Sequence, residues 1–109
     1  MEWDLEFFND GVKRDIEAWP EGIRAVFVRI ALRMKSNGPN LGMPFTRAFG
    51  GGLFEIRAKG QEGIGRAFFC LLVGHKIVVL HGFIKKTDKT PQTELQIAIR
   101  RMSEVKHGR

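Results

Sequence analysis

Tyrosine is missing from this chain of 109 residues, and cysteine occurs once. The lone Cys70 excludes an internal disulfide framework. With no C-x-x-C pair and only three scattered histidines, His75, His81 and His107, no built-in metal cage is expected, and no other cofactor. No apolar run approaches the roughly 18 residues that a membrane span needs. The start, Met1-Glu2-Trp3-Asp4, is acidic and lacks the basic opening of a signal peptide. Low-complexity segments and internal repeats are absent too. These absences point to one cytoplasmic domain over residues 1–109, away from membranes, with 106–109 as a loose tail.

What is present is positive charge, unevenly spread. The net charge is +6, with residues 1–20 at −4 and the remaining 89 residues at +10. A basic body with an acidic N-terminal edge suggests a polyanionic partner on one surface. Apolar residues at 43% and charged residues at 28% are ordinary globular composition rather than disorder.

In chain order, Trp3, Leu5 and Phe7 alternate with acids, the period of a half-buried strand. Asn9-Asp10-Gly11 turns and caps a short helix carrying Val12, Ile16 and Trp19, which Pro20 stops. A second helix runs from Glu21 to about Asn37, with Ile23, Val26, Phe27, Ile30 and Met34 as its apolar stripe. Residues 38–52 read as a linking loop. Its Gly50-Gly51-Gly52 lacks the G-x-x-x-x-G-K-[ST] spacing of a phosphate loop and opens a strand rather than a helix.

Three strands are then predicted at about 53–59, 64–73 and 76–84, joined by Gln61-Glu62-Gly63 and Gly74-His75 as antiparallel hairpins, with His75 exposed in its turn. Alternation puts Leu53, Glu55, Arg57 and Lys59 on one face, Ile64, Arg66, Phe68 and Cys70 on a face of the next strand, and His81, Phe83 and Lys85 on a face of the third. Thr90 as cap and Pro91 at the first helical position open a closing helix with Leu95, Ala98, Ile99, Met102 and Val105 as its stripe. The order of elements, β-α-α-β-β-β-α, is that of an α+β domain.

Three phrases make the central stretch recognisable: Gly50-Gly51-Gly52-Leu53-Phe54-Glu55-Ile56-Arg57, then Arg66-Ala67-Phe68-Phe69, and above all Leu80-His81-Gly82-Phe83-Ile84-Lys85-Lys86-Thr87-Asp88-Lys89-Thr90-Pro91 followed by Glu94. The chain resembles the RelE/HigB superfamily of toxins from type II toxin–antitoxin pairs, in particular its phage-related HigB-like branch. The resemblance implies a twisted, mainly antiparallel four-stranded sheet with helices on one face and RNA across the other. It implies a ribosome-dependent endoribonuclease that cuts messenger RNA and inhibits translation. It also implies a helix-turn-helix antitoxin as partner, with operator DNA reached only through that antitoxin.

Metal-free RNA cleavage needs a deprotonated 2′-hydroxyl held in line with phosphorus, a stabilised phosphate and a protonated leaving oxygen. Arg57 and Arg66 are fixed-charge forks suited to phosphate oxygens. His81 has the only side chain in the motif whose unperturbed pKa suits proton transfer at neutral pH, with Glu55 as a second candidate base. Lys85 completes the candidate catalytic set. Phe83 is a candidate for stacking a base, and Lys59, Lys86 and Lys89 for tracking the RNA backbone. The plain alternatives are a solvated face for the arginines, a buried hydrogen-bonded His81, and Phe83 and Phe68 as core if the last helix folds back. At the level of function, the alternatives are a non-catalytic RNA- or ribosome-binding module and a phage-derived protein-interaction domain.

Overall fold

A computed structural model describes residues 2–86 and 89–108 and yields eight elements. They are β1 (Asp4–Phe7), α1 (Asp10–Glu17), α2 (Glu21–Asn37), β2 (Thr46–Gly50), β3 (Leu53–Gly60), β4 (Gly63–Leu72), β5 (Lys76–Lys85) and α3 (Gln92–Lys106). The strands form one sheet in the order β1-β5-β4-β3-β2. β1 runs parallel to β5 and every other pair is antiparallel. The α+β class stands, with five strands in place of the expected four.

The added strand, β2, lies inside the stretch read as a loop. Thr46-Arg47-Ala48-Phe49-Gly50 has no period-two pattern because a bulge between Ala48 and Gly50 breaks the alternation, and among the described residues the strand pairs with β3 alone, at the edge of the sheet. Its start is pinned by Thr46 Oγ1, which accepts from the Gly42 N–H at 2.9 Å.

Helices α1 and α2 follow the sequence expectation. Asn9 caps α1, its side chain accepting from the Val12 N–H at 2.9 Å. Pro20 cannot cap α2 with its side chain, and a residue far away does so instead: Glu62, in the β3–β4 turn, accepts from the Gly22 N–H at 2.9 Å. This hydrogen bond from Gly22 holds the Glu62 carboxyl below the ordinary carboxylate range.

The two helices bury Val12, Ile16, Trp19, Ile23, Phe27, Ile30 and Met34 against Ile56, Ala58, Ala67, Phe69, Ile77 and Val79 of the sheet. Each large side chain buried this way contributes about 1.5–3 kcal/mol. Two glycines flatten the sheet to receive them. A Cβ on Gly65 would lie 2.6 Å from the Trp19 ring, and one on Gly82 would lie 2.8 Å from Ile16. Gly82, inside the His-Gly-Phe phrase, is therefore a packing glycine.

The helices do not share one face. α3 folds back over the opposite side, where Ala98, Leu95, Met102 and Val105 meet Leu53, Phe68, Cys70, Val78, Leu80 and Phe83. A sheet apolar on both faces needs a layer on each, and α1 and α2 cover only one. The start of α3 also differs from expectation. Its first helical residue is Gln92, Pro91 is the N-cap, no side chain among the described residues caps it, and the Thr90 hydroxyl accepts from Arg66. Within the expected loose tail, Lys106 closes α3 and the His107 N–H bonds the Ser103 carbonyl at 3.0 Å, while Arg109 lies outside the described residues. His75, expected to be exposed in its turn, stacks on Trp3 with ring centroids 4.3 Å apart.

Candidate nucleic-acid interface

Register brings the charged residues of three strands together. Arg57 sits opposite Arg66, Arg66 opposite Phe83, Glu55 opposite Phe68, and Phe68 opposite His81. Lys59, Ile64 and Lys85 form the next row outward. Leu80 is an extra residue in β5, since Phe68 pairs His81 while Phe69 pairs Val79. This bulge lets Val78 and Leu80 face α3 and still leaves His81 in the row of Phe68. Strict alternation back from His81 would have sent Val79 and Ile77 to that side, and both instead lie under α1 and α2.

Two arginines placed directly across from one another repel, and a buried anion answers the repulsion. Glu55 is fully buried and Arg66 is 1% exposed; the Arg66 Nε and Nη2 both donate to Glu55 Oε2. Arg66 Nη2 also donates to Thr90 Oγ1 at 2.8 Å. The rings of Phe83, Phe49 and Phe68 surround its guanidinium at 5.5, 5.9 and 6.0 Å. Arg66 therefore presents no open fork to solvent. Glu55, considered above as a base, is the counter-ion of this cluster.

The other carboxylate oxygen, Glu55 Oε1, is buried without a hydrogen bond. Two further arginines face it as ion pairs, Arg47 Nε at 3.3 Å and Arg57 Nε at 3.9 Å. Both reach solvent, with side chains 44% and 24% exposed.

His81 is neither free on the surface nor sealed in the core. Its side chain is 13% exposed, and its Nε2 lies 2.8 Å from Glu94 Oε1 on the first turn of α3. Its ring is nearly parallel to that of Phe83, with centroids 5.9 Å apart. Phe83, expected as a stacking platform, is 8% exposed and belongs to the core beneath α3. The rim it keeps lines a cleft of about 450 Å³ with Ile84, Lys86, Pro91 and Glu94. Lys85 is half-buried at the end of β5, and Lys86, Lys89 and Lys59 are exposed. Thr87 and Asp88 of the same phrase lie outside the described residues.

Sequence reasoning left three members of this constellation unassigned. Glu94 and Thr90 were in view, Glu94 as part of the closing phrase and Thr90 as a cap, but only the docking of α3 turns them toward His81 and Arg66. Arg47 was hidden because its strand was. Cys70 lies in the core of the same face, and burial pushes its thiol up. Among the described residues, no three or more His, Cys, Asp or Glu side chains stand where they could hold a metal ion, and no helix is long and apolar enough to cross a membrane.

No curated protein matches the chain. Residues 14–103 match the family model described as phage derived protein Gp49-like (DUF891), which spans all three helices except the start of α1 and the end of α3, and all of β2 to β5. With so much of its length matched, the chain belongs to the Gp49-like family of phage-derived proteins.

Proposed function

We propose that this protein is the toxin of a type II toxin–antitoxin pair, a ribosome-dependent endoribonuclease that cuts messenger RNA. The observation that carries the reading is the His81–Glu94 pair at 2.8 Å, beside the arginine cluster and the Phe83–Lys86 cleft. Membership of a phage-derived family agrees with it. Glu94, accepting from His81 Nε2–H, fixes the tautomer in which Nδ1 carries the lone pair. That nitrogen takes the proton of the 2′-hydroxyl, the 2′-oxygen attacks phosphorus, and the bond to the 5′-oxygen breaks. The departing oxygen takes its proton from a water, the hydroxide so formed takes back the proton held by His81, and a 2′,3′-cyclic phosphate remains. Arg57 supplies positive charge for the phosphate, and Lys85, Lys86, Lys89 and Lys59 hold the strand on either side. Arg66 acts from beneath, by holding Glu55 and the strands in register. A helix-turn-helix antitoxin neutralises the toxin and carries it to operator DNA.

The test is induction of the chain alone in bacteria, followed by mapping of ends on ribosome-bound messenger RNA. Wild type slows growth and leaves cyclic- or 3′-phosphate ends, while His81→Ala does neither. A wild type that neither slows growth nor cuts removes the reading.

One observation favours a second reading, a non-catalytic RNA- or ribosome-binding module. The arginine best placed in the motif, Arg66, is spent on a buried ion pair. That reading expects salt-sensitive binding to ribosomes with no new RNA ends.

A further inference from the structure

We infer that Arg47 is an anion-binding residue and that, with Arg57, it forms the solvent-facing phosphate clamp of the sheet. The inference rests on the reading of this face as an RNA surface, and it adds a residue from a strand outside the recognisable motif.

Arg47 lies directly across from Glu55 in the β2–β3 register, and Arg57 follows Glu55 by two positions on the same face. Glu55 Oε2 is taken by Arg66, which leaves Oε1, buried and without a hydrogen bond, facing the Arg47 and Arg57 Nε atoms at 3.3 and 3.9 Å. Three arginines around one carboxylate leave an excess of two positive charges, and Arg66 cannot show its share to solvent at 1% exposure. The excess is therefore presented by the two outer guanidiniums. The Arg47 guanidinium also lies over the Phe49 ring, 4.7 Å from its Cζ to the ring centroid. A guanidinium anchored through Nε and stacked on an aromatic ring keeps its terminal N–H groups for a phosphate, and little rotamer entropy is lost when one binds.

The experiment measures binding of a short single-stranded oligoribonucleotide, 2′-O-methylated so that it cannot be cut, as a function of salt. Compared are the full chain, Arg47→Gln, Arg57→Gln, Arg47→Lys, and Lys13→Gln on α1 across the sheet as a control for charge alone. Arg47→Gln is expected to weaken binding at low salt and to make the log–log salt slope shallower by about 0.7, the share of one single-strand phosphate. Arg57→Gln does the same, Arg47→Lys keeps the slope, and Lys13→Gln leaves it in place. The thermal midpoint of each variant is measured alongside, so that a loss of fold is told apart from a loss of binding. A slope unchanged in Arg47→Gln but shallower in Arg57→Gln overturns the inference, as does an equal change in Lys13→Gln. A wild type that does not bind the oligonucleotide overturns the RNA-surface reading itself.

Discussion

Arg66 on β4 and Glu55 on β3 form an ion pair sealed from solvent, one step along the sheet from the directly opposed Arg57 and Arg66. The pair explains how a sheet tolerates two arginines face to face, and it separates the arginines by role. Arg66 is buried beneath the surface, whereas Arg57 and Arg47 reach it.

Removing one partner strands a buried charge. Arg66→Ala or Glu55→Ala is expected to cost about 3–5 kcal/mol, and the double alanine change less than the sum. Urea unfolding of the two single variants and the double variant measures this. Additive losses would show that the two side chains do not depend on one another.

His81 and Glu94 should separate by kind of loss. His81→Ala is expected to lower single-turnover cleavage by about 10²–10⁴-fold, the usual contribution of a positioned acid–base group. Glu94→Gln keeps a hydrogen-bond acceptor but not the charge, and its loss should be smaller. Equal cleavage in wild type and His81→Ala would take proton transfer away from this histidine.

The flattened patch beneath Trp19 predicts an over-packing effect. Gly65→Ala puts a methyl group where the Trp19 ring stands 2.6 Å from the Cβ position, and should cost about 1–3 kcal/mol in urea. Gly82→Ala presses on Ile16 at 2.8 Å and on the Trp19 ring at 3.1 Å and should carry a cost of the same kind. A Gly65→Ala protein as stable as wild type would mean that Trp19 has room to move.

Glu62 ties α2 to the β3–β4 turn through an ionised carboxylate. Its pKa is lowered in the fold by the backbone hydrogen bond from Gly22, so its contribution is full above the unfolded-state pKa and is lost as pH falls through the folded value. Glu62→Gln should therefore lower stability at neutral pH and bring the variant and wild type together in acid. Denaturant midpoints between neutral and acid pH provide the comparison, and a constant difference at all pH values would argue against the link.

Much of this could be read directly from the chain. Apolar, β-branched and aromatic runs bounded by the turns Gln61-Glu62-Gly63 and Gly74-His75 mark β3, β4 and β5, because turn residues are local signals. The stripe of Ile23, Phe27, Ile30 and Met34 marks α2, and Asn9 and Pro20 mark the limits of α1, because these signals are local. β2 escaped because its bulge erases the alternation, and the Leu80 bulge escaped because one extra residue has no sequence signature. The partners Glu94 for His81, Thr90 for Arg66 and Glu62 for Gly22 lie 13, 24 and 40 residues away, beyond any local rule.

The sequence by itself determined the α+β class, the extent of α1, α2 and the three consecutive strands, and the meeting of Arg57, Arg66, Phe83 and Lys85 on one face, since backbone periodicity dictates side-chain direction. Tertiary structure alone decided which of those charges reaches solvent. Exposure depends on what packs above a strand, and here α3 and the Phe49 edge close over Arg66 while Arg47 and Arg57 stay at the rim.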